Sequence, residues 1–257
     1  MRKYLYDKYE NKPTIHSLTP YWQEYLENLV TKYNLNKLCT DCKSEYEKVL
    51  CVSKWVSNLW EHDGTNQPEK FDVDFILNEV INNGKRFRCV EYGNVIHGCL
   101  TALNITSREL GLMTEDVETR DSNAGHVGTE VYLKDINKWI FVDGQWGMIP
   151  ILDNKPLNAV EFAESLENIG EYGERLSVEK LNSTYSIADY FAWIKEYLYF
   201  YNYTYWENDN SGNRVNKNIM LGPIGIEAPK AFQIKYPIML DIYTHSVLDF
   251  YLPVDIH

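Results

Sequence analysis

Three features of the sequence predict an α+β fold. Apolar residues recur at helical spacing through roughly the first hundred positions. Two apolar runs of strand length follow, at 126–133 and 139–143. Helical spacing then returns at 158–166 and 186–198, ahead of a Tyr-rich stretch that reads as further strands.

Each element has its own signal. Thr19-Pro20 predicts a helix start, with Trp22, Tyr25, Leu26, Leu29, Val30 and Tyr33 on one stripe. Ser44-Glu45-Tyr46-Glu47 is a capping box opening a second helix, which Gly64 is expected to end. Asp72 caps a shorter helix carrying Phe75, Ile76 and Val80, stopped at Asn82-Asn83-Gly84. A fourth helix begins at Cys89 with Tyr92, Val95, Ile96, Cys99, Leu100 and Leu103 as its buried stripe. Beyond Gly111 the period changes, and 117–120 reads as a short strand. Residues 126–133 alternate, with 139–143 returning through a loop at Asp135-Ile136. Tyrosines at 199, 201, 203 and 205, a turn at 208–212, and runs at 219–226 and 238–252 predict the last strands. Trp22 and Trp60 are expected in the core, whereas Trp146 and the 199–205 tyrosines are expected to border a cleft.

Composition excludes several classes. Hydrophobic residues at 44% suit a packed core, and no run approaches the roughly 20 apolar residues of a membrane span. Lys plus Arg total 25 against 37 Asp plus Glu, a net charge of −12 without a basic cluster. Such a surface repels phosphate backbones, so neither nucleic acid nor membrane is expected as a partner. The first residues are polar and show no secretory h-region, so a cytoplasmic location is expected and the sequons at Asn104, Asn182 and Asn202 carry no weight. The five cysteines are an odd number, which favours free thiols. Cys39-Thr40-Asp41-Cys42 lacks the preceding strand of a redox motif and convincing partners for zinc, so no metal is expected. Residues 207–218 lack the first and last ligands of a calcium loop and read as a hairpin turn.

The chemistry concentrates in three places. Gly84-Lys85-Arg86-Phe87-Arg88-Cys89-Val90-Glu91-Tyr92-Gly93 sets a cysteine in the first turn of a helix. Unpaired N–H groups there stabilise a thiolate, and Arg86 and Arg88 are expected to add to the field. Ala124-Gly125-His126-Val127-Gly128 starts a strand with a histidine, and Phe141-Val142-Asp143-Gly144 ends the next with a carboxylate. His126 and Asp143 are an odd number of positions apart, so a two-residue hairpin loop sets them diagonally on one face. A thiolate needs a base, and the base needs an orienting group.

This order of cysteine, histidine and aspartate resembles the transglutaminase-like superfamily. The residues that carry the resemblance are 84–93, Gly125-His126 with Glu130-Val131-Tyr132, and Lys138-Trp139-Ile140-Phe141-Val142-Asp143. Trp60-Glu61-His62-Asp63-Gly64 and Gly144-Gln145-Trp146-Gly147 look like a bacterial branch. The resemblance implies a cysteine-proteinase-like core of helices on an antiparallel sheet over 44–166, with an N-terminal helical lead (1–43) and a C-terminal α/β extension (167–257). It implies Cys89 as nucleophile, His126 as base and acid, and Asp143 as orienting carboxylate, with no cofactor. Trp60, His62, Gln145 and Trp146 are candidates for the oxyanion or the substrate. The expected reaction is acyl transfer on a peptide, protein or other amide-bearing substrate through a thioester. Hydrolysis is expected ahead of crosslinking, because an amine acceptor would need a site of its own. The alternative is a catalytically silent peptide- or glycan-binding protein on the same fold. Members of the superfamily include crosslinkers, thiol peptidases, deglycosylating enzymes and inactive binders, so the resemblance leaves substrate and oligomeric state open.

Overall fold

The computed structural model describes residues 3–181 and 185–252. Its helices are α1 (Gln23–Lys32), α2 (Leu35–Leu38), α3 (Glu45–Ser57), α4 (Val73–Asn83) and α5 (Cys89–Ala102). Strands β1 (Ser107–Met113), β2 (Gly125–Leu133), β3 (Lys138–Val142), β4 (Met148–Leu152) and β5 (Lys155–Pro156) follow. Then come α6 (Ala159–Glu167), α7 (Ile169–Tyr172), β6 (Leu176–Lys180) and α8 (Ile187–Ile194). The chain closes through β7 (Phe200–Asn208), β8 (Arg214–Leu221), β9 (Ala231–Phe232), β10 (Tyr236–Pro237), β11 (Ile242–Thr244) and α9 (Val247–Phe250). The fold is α+β, as the sequence predicts. Among the described residues no helix is long and apolar enough to cross a membrane.

Two compact units result. One takes Tyr21–Glu109 and Val127–Ala192; the other takes the described parts of Met1–Pro20, Leu110–His126 and Trp193–His257. The chain passes from one to the other inside β1, inside β2 and inside α8.

The first unit is built around α5. Helices α1, α3 and α4 pack on it, and every residue from Glu91 to Leu100 is buried. Val52, Val56, Ile76, Leu77, Val95, Ile96 and Leu100 share one cluster with Val131, Ile140 and Val142 from the strands. Each such side chain contributes about 1.5–3 kcal/mol by leaving water. Three caps read from sequence form their hydrogen bonds. Ser44 Oγ accepts from Glu47 N (3.1 Å), Asp72 Oδ1 from Phe75 N (2.9 Å), and Asn158 Oδ1 from Glu161 N (2.9 Å). Gly84 ends α4 at φ +62, a conformation in which a Cβ would be strained. Strands β2 and β3 pair antiparallel from Thr129↔Val142 to Leu133↔Lys138, the register expected from a turn centred on Asp135-Ile136. Strand β4 lies between β5 and β6.

The second unit is smaller and rich in strands. Strands β7 and β8 form a long antiparallel hairpin, and Gly111 and Leu112 of β1 pair with Asn202 and Tyr201. Strand β11 joins β8 in parallel. The turn at 209–213 is closed by Asp209 N donating to Asn213 O (2.8 Å), the hairpin expected in place of a calcium loop. Buried Asp249 accepts from the backbone N–H of Glu10 (2.9 Å) and Asn11 (2.7 Å), fastening the N-terminal segment.

Several expectations are corrected. Trp22 is 72% exposed because it stands at the N-cap position of α1, ahead of the buried Leu26 and Leu29; Thr19 makes no cap. Helix α3 stops at Ser57 rather than near Gly64, and Trp60 beyond it stacks on Tyr92 at 4.1 Å. Residues 117–120 are a turn, held by Thr119 N and Arg120 N donating to Asp116 O. The strand expected there is β1, ten residues earlier in the chain by its first residue. The 219–226 strand begins at Arg214 and ends at Leu221. The 238–252 run resolves into β11 and α9, because Ser246 caps a helix by accepting from Asp249 N. Tyr201, Tyr203 and Tyr205 border no cleft; at 0–2% exposure they are core residues of their unit. The Asn182 sequon lies outside the described residues.

Candidate active site

Cys89 is the first residue of α5 and is half-buried. The turn it opens is closed by Glu91, which is fully buried. Its Oε2 accepts from Arg88 N (2.9 Å), while Oε1 takes the Arg88 guanidinium at 2.7 Å. Arg86 pairs instead with Glu61 at 2.6 Å. Both arginines near the thiol therefore carry carboxylate partners, which offsets the positive field expected from them. The helix N-terminus remains as a source of thiolate stabilisation at Cys89.

The segment before α4 is laced to both sides of Cys89. Trp60 Nε1 donates to Phe87 O (3.3 Å), Asp63 N donates to the same carbonyl (2.9 Å), and Tyr92 Oη donates to Trp60 O (2.6 Å). The Trp60 indole N–H is thus engaged with a backbone carbonyl. His62 is exposed on this segment, its ring against Gly64.

Asp143 ends β3 with no solvent exposure. Its backbone exchanges two hydrogen bonds with Met148 (2.9 and 3.0 Å), and Oδ1 accepts from Trp146 N (3.0 Å). This tight turn carries Gly144 onto α5: a Cβ there would sit 2.6 Å from Ile96 Cδ1 and 3.0 Å from Tyr92 Cβ. The Asp143 end of β3 therefore abuts the turn of α5 next to Cys89. Gln145 is half-buried in the same turn. Trp146 is half-buried against Tyr185 and Tyr190, ring centroids at 4.8 and 5.4 Å. Burial and then the Asp143 charge hold the Tyr190 hydroxyl well above the ordinary tyrosine range.

Helix α5 also meets β2 closely. A Cβ on Gly93 would fall 2.9 Å from Val127 Cγ1 and 3.1 Å from Gly128 O, and Thr129 Oγ1 donates to Gly93 O (3.2 Å). A Cβ on Gly128 would meet the buried Phe141 ring at 2.3 Å and Val142 O at 3.1 Å. Gly128→Ala is expected to cost about 1–3 kcal/mol by overpacking, read as a lower urea midpoint at unchanged slope. An unaltered midpoint would mean that the ring yields freely.

His126, in the other unit, is 2% exposed. Trp193 meets its ring edge-on at 4.9 Å and Tyr197 lies at 6.0 Å. The preceding Gly125 leaves no room for a side chain, since a Cβ would be 2.7 Å from the Phe232 ring. Sequence reading did not single out Trp193, Tyr197 or Tyr190. Each sits in an apolar helical pattern that announces a core and nothing more.

Polar groups line another face of α5. His97 Nδ1 faces Ser107 Oγ at 2.9 Å, and burial lowers its pKa to about 4, so it is neutral at pH 7. Asn94 Nδ2 donates to Glu109 (2.8 Å), whose carboxyl burial pushes up to about 7.

The family model of the transglutaminase-like superfamily matches residues 34–144, a span that contains Cys89, His126 and Asp143. No curated protein matches the sequence. Among solved structures, a candidate cysteine protease from Cytophaga hutchinsonii is 12% identical with a TM-score of 0.37, over 83% of this chain and 60% of its own. Red sea bream transglutaminase is 14% identical with a TM-score of 0.37, over 76% of this chain and 34% of its own. This chain thus spans less than two thirds of either.

Proposed function

We propose that this chain, whose residues 34–144 match the transglutaminase-like superfamily, performs thiol-dependent acyl transfer on amide substrates. Cys89 Sγ attacks the amide carbonyl as a thiolate. His126 takes the thiol proton and later delivers it to the leaving amine, and Asp143 holds the imidazole in the tautomer this requires. The product is a thioester on Cys89, which water resolves to a free acid. Hydrolysis is favoured because water needs no acceptor site.

One observation carries the reading. A half-exposed cysteine opens α5, and the turn following a fully buried aspartate is pressed onto the next turn of that helix. The Cys89 backbone N–H is the first oxyanion donor. Gln145 is the favoured second, since the Trp60 indole is engaged by Phe87 O. Trp146 and exposed His62 are left as substrate contacts.

The test is the rate of alkylation of each thiol by iodoacetamide in the native protein, followed by mass spectrometry. A free thiol is only about 3% ionised at pH 7, so a thiolate held by an imidazolium is expected to react roughly thirtyfold faster. Cys89 should show that advantage over Cys39, Cys42, Cys51 and Cys99, and lose it in His126→Ala. Equal rates at all five thiols would instead favour a binding protein on the same fold.

A further inference from the structure

Outside the candidate active site, the chain holds a second group of sulfur atoms. The Sγ atoms of Cys42 and Cys51 lie 3.2 Å apart, both thiols free and both half-buried. Cys42 sits in the bend ahead of α3, and Cys51 is in the second turn of that helix. The bend is held from both sides. Cys42 N donates to Cys39 O (3.1 Å), and Lys43 N donates to a Glu47 carboxylate oxygen of α3. Cys39 itself is buried at 7% exposure. Its thiol also reaches the Cys42 sulfur, but α3 brings the more exposed Cys51 to that sulfur.

We propose that Cys42 and Cys51 form a reversible disulfide in the folded protein, with a peroxide as the oxidant. Cys42 Sγ attacks one peroxide oxygen and the O–O bond breaks, giving a sulfenic acid and one water. Cys51 Sγ then attacks the Cys42 sulfur, the S–O bond breaks, and the hydroxyl leaves with the Cys51 proton as a second water. The two sulfurs lose one electron each, and the peroxide is reduced to two waters. A dithiol returns both thiols.

Geometry makes the exchange local. The sulfurs must approach by about an ångström to reach bonding distance. Burial, and then the Cys42 sulfur, push the Cys51 thiol up to about 11, which keeps it protonated and disfavours it as the first nucleophile. Cys99 is fully buried and far slower to oxidise.

The experiment treats the full native chain with a small molar excess of hydrogen peroxide. Remaining thiols are blocked with N-ethylmaleimide, and a non-reducing digest is read by mass spectrometry. The expected result is one dominant cross-linked species joining the Cys42 and Cys51 peptides, two hydrogen atoms lighter than their sum. Two fewer of the five thiols should titrate after unfolding, and dithiothreitol should restore them. The oxidised chain should also unfold at higher urea, because a closed loop restricts the unfolded state, and Cys42→Ser should remove both effects. The inference is overturned if the main cross-link joins Cys39 to Cys42, or if Cys42 and Cys51 accumulate as separate oxygen adducts. Repeating the treatment in Cys89→Ala removes a competing thiol, and the cross-link is expected there unchanged.

Discussion

Glu130→Ala is expected to destabilise the chain by about 3–5 kcal/mol, a third or more of the stability of an ordinary domain. Glu130 is fully buried, and Arg108 is 1% exposed. Arg108 donates to Glu130 Oε2 from Nη2 (2.6 Å) and Nε (3.1 Å), and its guanidinium lies over the Trp139 ring at 4.4 Å. The other carboxylate oxygen accepts from Ala159 N (3.1 Å), the first residue of α6. One carboxylate therefore ties β1, β2 and the start of α6 together. Alanine would take the carboxylate from the buried Arg108 guanidinium and strip the first turn of α6 of an acceptor. Glu130→Gln keeps acceptor and shape, loses the charge, and should fall between wild type and alanine. Joint replacement of Arg108 and Glu130 by Leu and Met should cost far less than Glu130→Ala, since desolvating an ion pair offsets much of its attraction. Urea unfolding of the four proteins checks this; a small effect for Glu130→Ala would mean that water reaches the site.

The largest kinetic effect is expected from Asp143→Asn. Asparagine preserves the shape of the turn and can still accept from Trp146 N, so the fold should survive. On the proposed assignment it presents an amide where His126 needs an acceptor, and the imidazole is held in the wrong tautomer. Loss of that orientation lowers acylation by roughly 10⁴, about 5 kcal/mol of transition-state stabilisation. An activated ester such as p-nitrophenyl acetate reads this without knowledge of the natural substrate, as a burst of nitrophenolate from Cys89. The far-ultraviolet circular dichroism should match the wild type. An undiminished burst from the variant would remove Asp143 from the mechanism.

Local chemistry made much of the helical half of the chain legible. Short polar side chains ahead of apolar runs marked Ser44, Asp72 and Asn158 as caps, and each accepts the hydrogen bond that defines one. The start of α5 at Cys89 was legible from its buried stripe instead, since Arg88 and not a short polar residue stands at its N-cap. Strand β1 was not, because it begins Ser107-Arg108-Glu109 and reads as polar. Its polar groups are satisfied by distant residues, Arg108 by Glu130 and Glu109 by Asn94, which no local pattern announces. The tyrosines of β7 show a different limit. Tyr201 and Tyr203 bury their rings and donate their hydroxyls to Leu198 O and Phe250 O, so a residue able to line a cleft serves here as core. At the candidate site, residue types and order were readable, but the Arg88–Glu91 and Arg86–Glu61 pairs that offset the local charge were not.

The division of the chain into two units has a consequence for how it is made. The smaller unit is assembled from three stretches, and its N-terminal segment joins residues roughly two hundred positions later. Leu5 bridges Ser246, Ser17 bridges Trp206, and Glu10 N donates to Asp249 across a separation of 239. At roughly 5–20 residues per second, synthesis brings those partners together only on the order of ten to fifty seconds after the segment itself is made. The unit that holds α5 ends at Ala192. Translation therefore imposes an order: the helical unit has its full sequence first, while the N-terminal tyrosine-rich segment waits, exposed, for its sheet.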